Sequence, residues 1–220
     1  MKINNWMLCY AVPEKTAQQS YDFIEHYEII FMAVFVILVI LLVLYIVHEN
    51  YRRDQELMKY AQTDALTGLY NKETTKLRTD EILSTDKDMI HAFLILDMDC
   101  FKQINDGYGH AVGDIVLQKF GQLLRDIFRE DDIVGRIGGD EFVVVMKNIK
   151  MKEMAIAKAE ELLTKTQQYE IKELNGSAIS ISIGIAMAPE DGDCYMDLYK
   201  RADQALYQAK RSGKARVCGY

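Results

Sequence analysis

Basic residues are not in excess: 26 Lys and Arg stand against 33 Asp and Glu, giving a formal net charge of -7 and a pI near 5.2. Such a chain lacks the basic face that binds nucleic acid through its phosphates, so no nucleic-acid partner is expected and any phosphate binding must be local. The four cysteines, Cys9, Cys100, Cys194 and Cys218, show no C-x-x-C spacing. They form neither a zinc or redox motif nor a secreted disulfide framework, and reduced thiols in a cytosolic domain fit Cys100, Cys194 and Cys218 best. Charged and amide side chains are missing altogether from Ile29 to Val47, and no small-residue cleavage site follows that run. A removed signal peptide is therefore not expected.

The run IIFMAVFVILVILLVLYIV rises roughly 28 Å as a helix, close to the ~30 Å hydrocarbon core of a bilayer, and predicts one spanning helix over 29–47. A buried core helix would carry a polar stripe, and this run has none. Arg52, Arg53 and Lys59 follow it, whereas Lys15 is the only basic residue in the twenty before it. Basic flanks favour the cytoplasm, which places residues 1–28 outside as a short extracytoplasmic segment, too short to bury a core of its own. Residues 48–62 contain no Gly or Pro and many helix formers, so the helix is expected to continue as a stalk. Leu44, Val47, Tyr51, Asp54, Met58 and Ala61 follow alternating steps of three and four. That is the seam of a parallel coiled coil, interrupted by Asp54; a solvated linker helix fits the same residues.

From Thr63 onward short apolar runs alternate with amphipathic stretches, defining one domain over 63–220. Strands are expected at 91–97, 132–137, 142–146 and 178–188, and helices at 111–128, 151–168 and 198–210. This order predicts an α+β domain, an antiparallel-rich sheet with helices on one face. Asp97 and Asp99 end an apolar strand two residues apart, so both point to the same side, where a carboxylate can hold a metal. In RIGGDEFVVVM two strands meet at Gly138 and Gly139, which places Asp140 and Glu141 at a hairpin tip. Adjacent acids entering an apolar strand need solvent, a cation or a metal.

These residues carry a resemblance. DALTGLYNK at 64–72, LDMDCFKQIND at 96–106, YGHAVGD at 108–114, RIGGDEF at 136–142, SIGIA at 182–186 and ADQALYQAKRSGK at 202–214 resemble the GGDEF-domain diguanylate cyclases, in the family's order and spacing. The resemblance covers essentially all of 63–220. It implies a ferredoxin-like core akin to the nucleotide cyclases and the polymerase palm, and an enzyme of the bacterial cytoplasmic membrane that condenses two GTP into cyclic di-GMP and two pyrophosphates. Two domains of a homodimer would face each other, each presenting one GTP.

The resemblance also implies roles. Asp97, the backbone carbonyl of Met98, and Asp140 match the family's ligands for Mg²⁺ or Mn²⁺, with Glu141 a second carboxylate beside them. Asp140 also matches a residue proposed as base for the attacking hydroxyl, although a cation-bound carboxylate is a weak base, so its metal role ranks first. Lys102 matches a position that neutralises developing phosphate charge, and the turn Cys100–Lys102 opens a helix whose N–H groups can face a triphosphate. Lys210 and Lys214 match phosphate holders on the far helix; position 214 is often Arg in the family, and Lys lacks its fork. Asn105 and Asp114 match the guanine readers, a carboxylate accepting from N1–H and the exocyclic amine. Arg129 and Asp132 match an R-x-x-D site at which the family binds its own product as an inhibitor. An inactive domain serving as cyclic di-GMP receptor or membrane dimerisation adaptor is the alternative, against which the intact Asp97, Lys102, Asp140 and Glu141 count.

Overall fold

The computed structural model describes residues 14–60, 62–169, 171–174 and 179–220, with side chains of the first helix described from 27 to 53. The chain divides into two compact units, Met1–Met58 and Lys59–Tyr220. In the first unit α1 is a helix of 47 residues, Glu14–Tyr60, and its stretch Tyr27–Arg53 is long and apolar enough to cross a membrane. Every side chain from Ile29 to Val47 is exposed. The seam position Ala61, and Cys9 with the rest of 1–13, lie outside the described residues, and the side chains of Asp54 and Met58 outside the described side chains.

In the second unit the elements run α2 (Lys72–Thr85), β1 (His91–Met98), α3 (Phe101–Tyr108), α4 (His110–Ile127), β2 (Ile133–Gly138), β3 (Glu141–Met146), α5 (Lys152–Gln168), β4 (Ile181–Ala188), α6 (Tyr195–Arg211) and β5 (Val217–Gly219). The strand order is β2-β3-β1-β4-β5. The first four strands pair antiparallel, in the ferredoxin-like β-α-β-β-α-β arrangement, and β5 adds a parallel edge beside β4. The four expected strands and three expected helices are all present within a few residues. Ala178, the expected start of β4, lies outside the described residues.

The expectation of helices on one face is corrected: they cover both. Every residue of β1 and β4 is buried, which requires cover on each side. Leu94, Leu96 and Met98 share a core with Val116, Phe120 and Leu124 of α4 and Leu162 of α5. Phe93 and Ile95, of opposite parity, share a second core with Leu83 of α2 and Leu198 and Leu206 of α6.

Helix α2 was not expected, because its buried positions are Thr74, Thr75, Thr79 and Leu83 rather than an apolar stripe. Two of these threonines bury without cost to hydrogen bonding: Thr75 Oγ1 donates to the Asn71 carbonyl and Thr79 Oγ1 to that of Thr75, both at 2.7 Å. Asn71 caps the helix, its side chain accepting from Thr74 N at 2.9 Å.

Helix α6 lies so close to β4 that a Cβ at Gly184 would run into the Ala202 carbonyl oxygen and the Leu206 amide. These are backbone atoms of a helix and cannot rotate away. Gly184→Ala is therefore expected to destabilise the domain by about 1 to 3 kcal/mol, as overpacking does elsewhere. Denaturant unfolding of the full chain in detergent micelles checks this; unchanged stability would mean that α6 can lift from the sheet freely.

Candidate active site

The register of β1 against β3 sets Asp97 opposite Glu141, and against β4 sets it opposite Ser182. Gly139 and Asp140 form the two-residue loop between β2 and β3, with Gly139 at φ +25°. The Met98 amide donates to the Asp140 carbonyl at 3.3 Å. Asp97, Met98, Asp140 and Glu141, separated by more than forty positions in the chain, thus meet at one end of the sheet.

The carboxylates here lie in an acidic environment. Burial pushes the Asp97 carboxyl above the usual Asp range, and Asp140 and Asp99 push the same way, outweighing an ion pair from Lys210 Nζ to Asp97 Oδ2 at 2.7 Å. Burial also raises Glu141, helped by the neighbouring Asp97. Carboxylates facing one end of the sheet from paired strands, with one lysine among them, suit a hard divalent cation such as Mg²⁺ or Mn²⁺. Lys210, expected over an anion, lies on Asp97 instead, beside an open cavity of about 510 Å³ lined by Glu141, Asp203, Tyr207 and Arg211.

The base-reading candidates come together. Helices α3 and α4 meet at Gly109, whose φ of +87° turns the chain, and its amide donates to the Asn105 carbonyl at 2.9 Å. A Cβ at Gly113 would coincide with Asn105 Oδ1, so the Asn105 amide lies against the residue preceding Asp114. Asp114 itself is exposed, as is Lys102 in the first turn of α3. Lys214 Nζ lies 3.3 Å from Cys100 Sγ, bringing the far end of the domain to the turn that opens α3. A cavity of about 410 Å³ lies there, lined by Cys100, Gln103, Tyr108 and Lys214 among others.

Arg129 and Asp132 line a separate cavity of about 390 Å³ together with Tyr70 and Arg125. Arg129 is exposed, but Asp132 is buried, accepting from the amides of Arg129 and Lys147 at 3.0 Å each. Its carboxylate therefore builds the turn into β2 as well as facing the cavity.

Asp64 and Arg136 were quoted only as parts of motifs, and their joint role was missed. Arg136 Nη1 donates to both Asp64 oxygens, at 3.1 and 3.2 Å, while its Nε and Nη2 donate to the Gly139 carbonyl at 3.0 and 2.8 Å. One guanidinium thereby ties the hairpin tip that carries Asp140 to the segment before α2. The available signal was local: Asp64 precedes Thr67 by three, and Thr67 donates to it from both N and Oγ1. Burial alone would raise the Asp64 carboxyl, but the bonds from Thr67 and Arg136 outweigh it and hold it below the usual Asp range.

A carboxyl depressed in the folded state contributes stability above its unfolded pKa and loses it as pH falls through the folded value. Asp64→Asn is expected to destabilise the domain by about 1.5 to 3 kcal/mol at neutral pH, the usual worth of a bond to a charged group. The gap from the native chain should close as the pH drops below the ordinary Asp range. A gap independent of pH in denaturant unfolding would contradict the ion pair.

The family model described as "Diguanylate cyclase, GGDEF domain" matches residues 61–216. The diguanylate cyclase DgcS of Shewanella oneidensis is 36% identical over 168 residues, covering 75% of this chain and 55% of that protein. The response regulator PleD of Caulobacter vibrioides is 36% identical over 168 residues, covering 74% of this chain and 37% of PleD. The chain thus spans about half or less of the length of these relatives. Among solved structures, the GGDEF domain of TpbB (YfiN) from Pseudomonas aeruginosa superposes with a TM-score of 0.67 at 35% identity, over 71% of this chain and 93% of that one. The coiled coil and GGDEF domain of DgcB from Caulobacter crescentus, solved in complex with c-di-GMP, gives 0.67 at 25% identity, over 79% and 93%. With its hairpin carboxylates and this match over most of its length, the chain belongs to the GGDEF-domain diguanylate cyclase family.

Proposed function

We propose that this chain is a membrane-anchored diguanylate cyclase that condenses two GTP molecules into cyclic di-GMP and two pyrophosphates. The observation that carries the proposal is the approach of Asp97, Asp140 and Glu141 at the hairpin, with Lys210 paired to Asp97 and the Asn105 amide of α3 against Gly113, the residue before Asp114 in α4. Cyclases of this family depend on a divalent cation, and the hairpin carboxylates, with the Met98 carbonyl, would hold Mg²⁺ or Mn²⁺, which supplies charge neutralisation on the triphosphate. Lys102, Lys210 and Lys214 hold the phosphate oxygens, and Lys102 offsets charge that develops on the reacting phosphorus. Asn105 and Asp114 read the guanine edge; a carboxylate placed for N1–H and the 2-amino group meets an N1 lone pair and C2–H in adenine, which sets GTP above ATP.

One domain holds one GTP, so the reaction needs a homodimer with the two sites face to face. The 3′-oxygen of one GTP bonds to the α-phosphorus of the other, the bond from that phosphorus to the bridging oxygen breaks, and pyrophosphate leaves; the reciprocal step closes the ring. The spanning helix and the stalk hold two domains near one another, raising their effective concentration. The basic residues after the span favour the domain on the cytoplasmic side, where GTP is available. Cyclic di-GMP is also the inhibitor at the cavity of Arg129 and Asp132. A receptor without catalysis has no use for a complete carboxylate set, so the cyclase reading is preferred.

Two outcomes test this. Asp140→Ala should leave the circular dichroism of the full chain unchanged and lower cyclic di-GMP formation from GTP by at least about 100-fold, the loss usual for removing a group that acts on the transition state. Activity close to that of the native chain would remove Asp140 from the site. Arg129→Ala should keep the initial rate but continue accumulating product at concentrations that halt the native chain. The exposed Arg129 is the informative position, because Asp132→Ala would also strip two backbone amides of their acceptor. If both proteins slow at the same product concentration, the cavity is not the inhibitory site.

A further inference from the structure

Asp99 pairs with Asp97 in the sequence, yet the chemistry above makes no use of it. The structure gives it a different task. Its side chain is buried and both oxygens are engaged. Oδ2 accepts from Ser180 Oγ at 2.6 Å and from the Ala215 amide at 3.1 Å, and Oδ1 accepts from Ser182 Oγ at 2.8 Å. A carboxylate already holding three donors is placed as an anchor rather than as an open ligand.

What it anchors is the reversal between α6 and β5. Gly213, Lys214 and Ala215 all have positive φ, at 112°, 62° and 49°. Two successive residues bearing a Cβ are thus held in the left-handed region, which persists only where surrounding bonds enforce it. The enforcing bonds are few: the Lys214 amide donates to the Ala209 carbonyl at 3.1 Å, Arg216 Nε to the Lys214 carbonyl at 3.1 Å, and the Ala215 amide to Asp99. The result of the reversal is Lys214 Nζ at 3.3 Å from Cys100 Sγ, beside the residue that follows Asp99 in the chain.

We propose that Asp99 is a positioning residue for the nucleotide, setting the separation between the turn Cys100–Lys102, covalently next to it, and Lys214, tied to it through the Ala215 N–H. Both groups then reach one triphosphate. The proposal rests on the reading of Lys214 as a phosphate holder.

A double-mutant cycle on the full chain in detergent micelles tests it, with a GTP analogue carrying a methylene bridge between the α- and β-phosphorus as the titrated ligand, in Mg²⁺. Lys214→Ala and Asp99→Ala are each expected to weaken binding by about 5- to 20-fold, while the double variant is within about twofold of Lys214→Ala, the coupling expected of groups acting as one unit. Asp99→Asn should recover most of the affinity, because its amide oxygen can still accept from Ala215 N–H while its NH₂ faces Ser182 Oγ. Equal factors in both backgrounds would overturn the proposal, leaving Asp99 a general support of the fold. Failure of Asp99→Asn to rescue, with a raised Mg²⁺ requirement, would overturn it in favour of a metal ligand. If Lys214→Ala alone leaves binding unchanged, the phosphate role of Lys214 fails and the proposal falls with it, an outcome distinct from additivity. Should Asp99→Ala not fold, Ser180→Ala removes one donor without unburying the carboxylate and is expected to weaken binding by about fourfold in the native background and not at all in Lys214→Ala; an equal loss in both, or none in either, would overturn the proposal.

Discussion

The antiparallel register between β1 and β3 is the constraint on which the candidate site depends. It places Asp97 opposite Glu141 and brings the Gly139–Asp140 turn level with Met98. Side chains alternate along a strand, so a slip of one residue would send Asp97 to the α4 face and drive Leu96 or Met98 toward the site. The slip is opposed on both sides of β1, because Leu94 and Leu96 fill one core while Phe93 and Ile95 fill the other. Arg136 adds a local restraint, holding the Gly139 carbonyl and the Asp64 carboxylate with one planar group. The hairpin tip is thereby held from the sheet and from the segment before α2 at once.

Under the proposed function, the same register lets an acidic chain serve a polyanionic substrate. At this sheet end burial, with neighbouring carboxylates adding to it, raises the Asp97 and Glu141 carboxyls, and the Lys210 ion pair does not offset it. Under the proposed function, positive charge for a triphosphate is supplied by single side chains brought in from distant segments: Lys102 from the start of α3, Lys210 from the last turn of α6, and Lys214 from the reversal beyond it. No basic surface is needed. Precision in placing a few lysines replaces it, which is why the left-handed residues at 214 and 215 and the anchor beneath them matter to the account.

Much of this was legible in the sequence wherever the signal is local. The apolar run ending at Asp97 and the Gly-Gly turn before Asp140 announced a strand end and a hairpin tip, and the amphipathic spacing over 111–128 announced α4. Two-sided cover of the sheet was missed although β1 carries no alternation, which is itself the mark of a strand buried on both faces. Helix α2 escaped because its buried face is built of threonines whose hydroxyls bond back to their own helix. The coupling of Asp64 to Arg136 spans 72 positions and leaves no periodic trace. Asp99 was read correctly as sharing a side with Asp97, but its three donors come from segments that only the fold brings near.

The account stands or falls on the product made by the native chain. Incubation of the full chain with GTP and Mg²⁺, followed by mass spectrometry and pyrophosphate determination, should yield cyclic di-GMP with two pyrophosphates for each product molecule, and ATP in place of GTP should yield no cyclic dinucleotide. Binding of cyclic di-GMP by a chain that leaves GTP unchanged would contradict the account and identify a receptor built on the same fold.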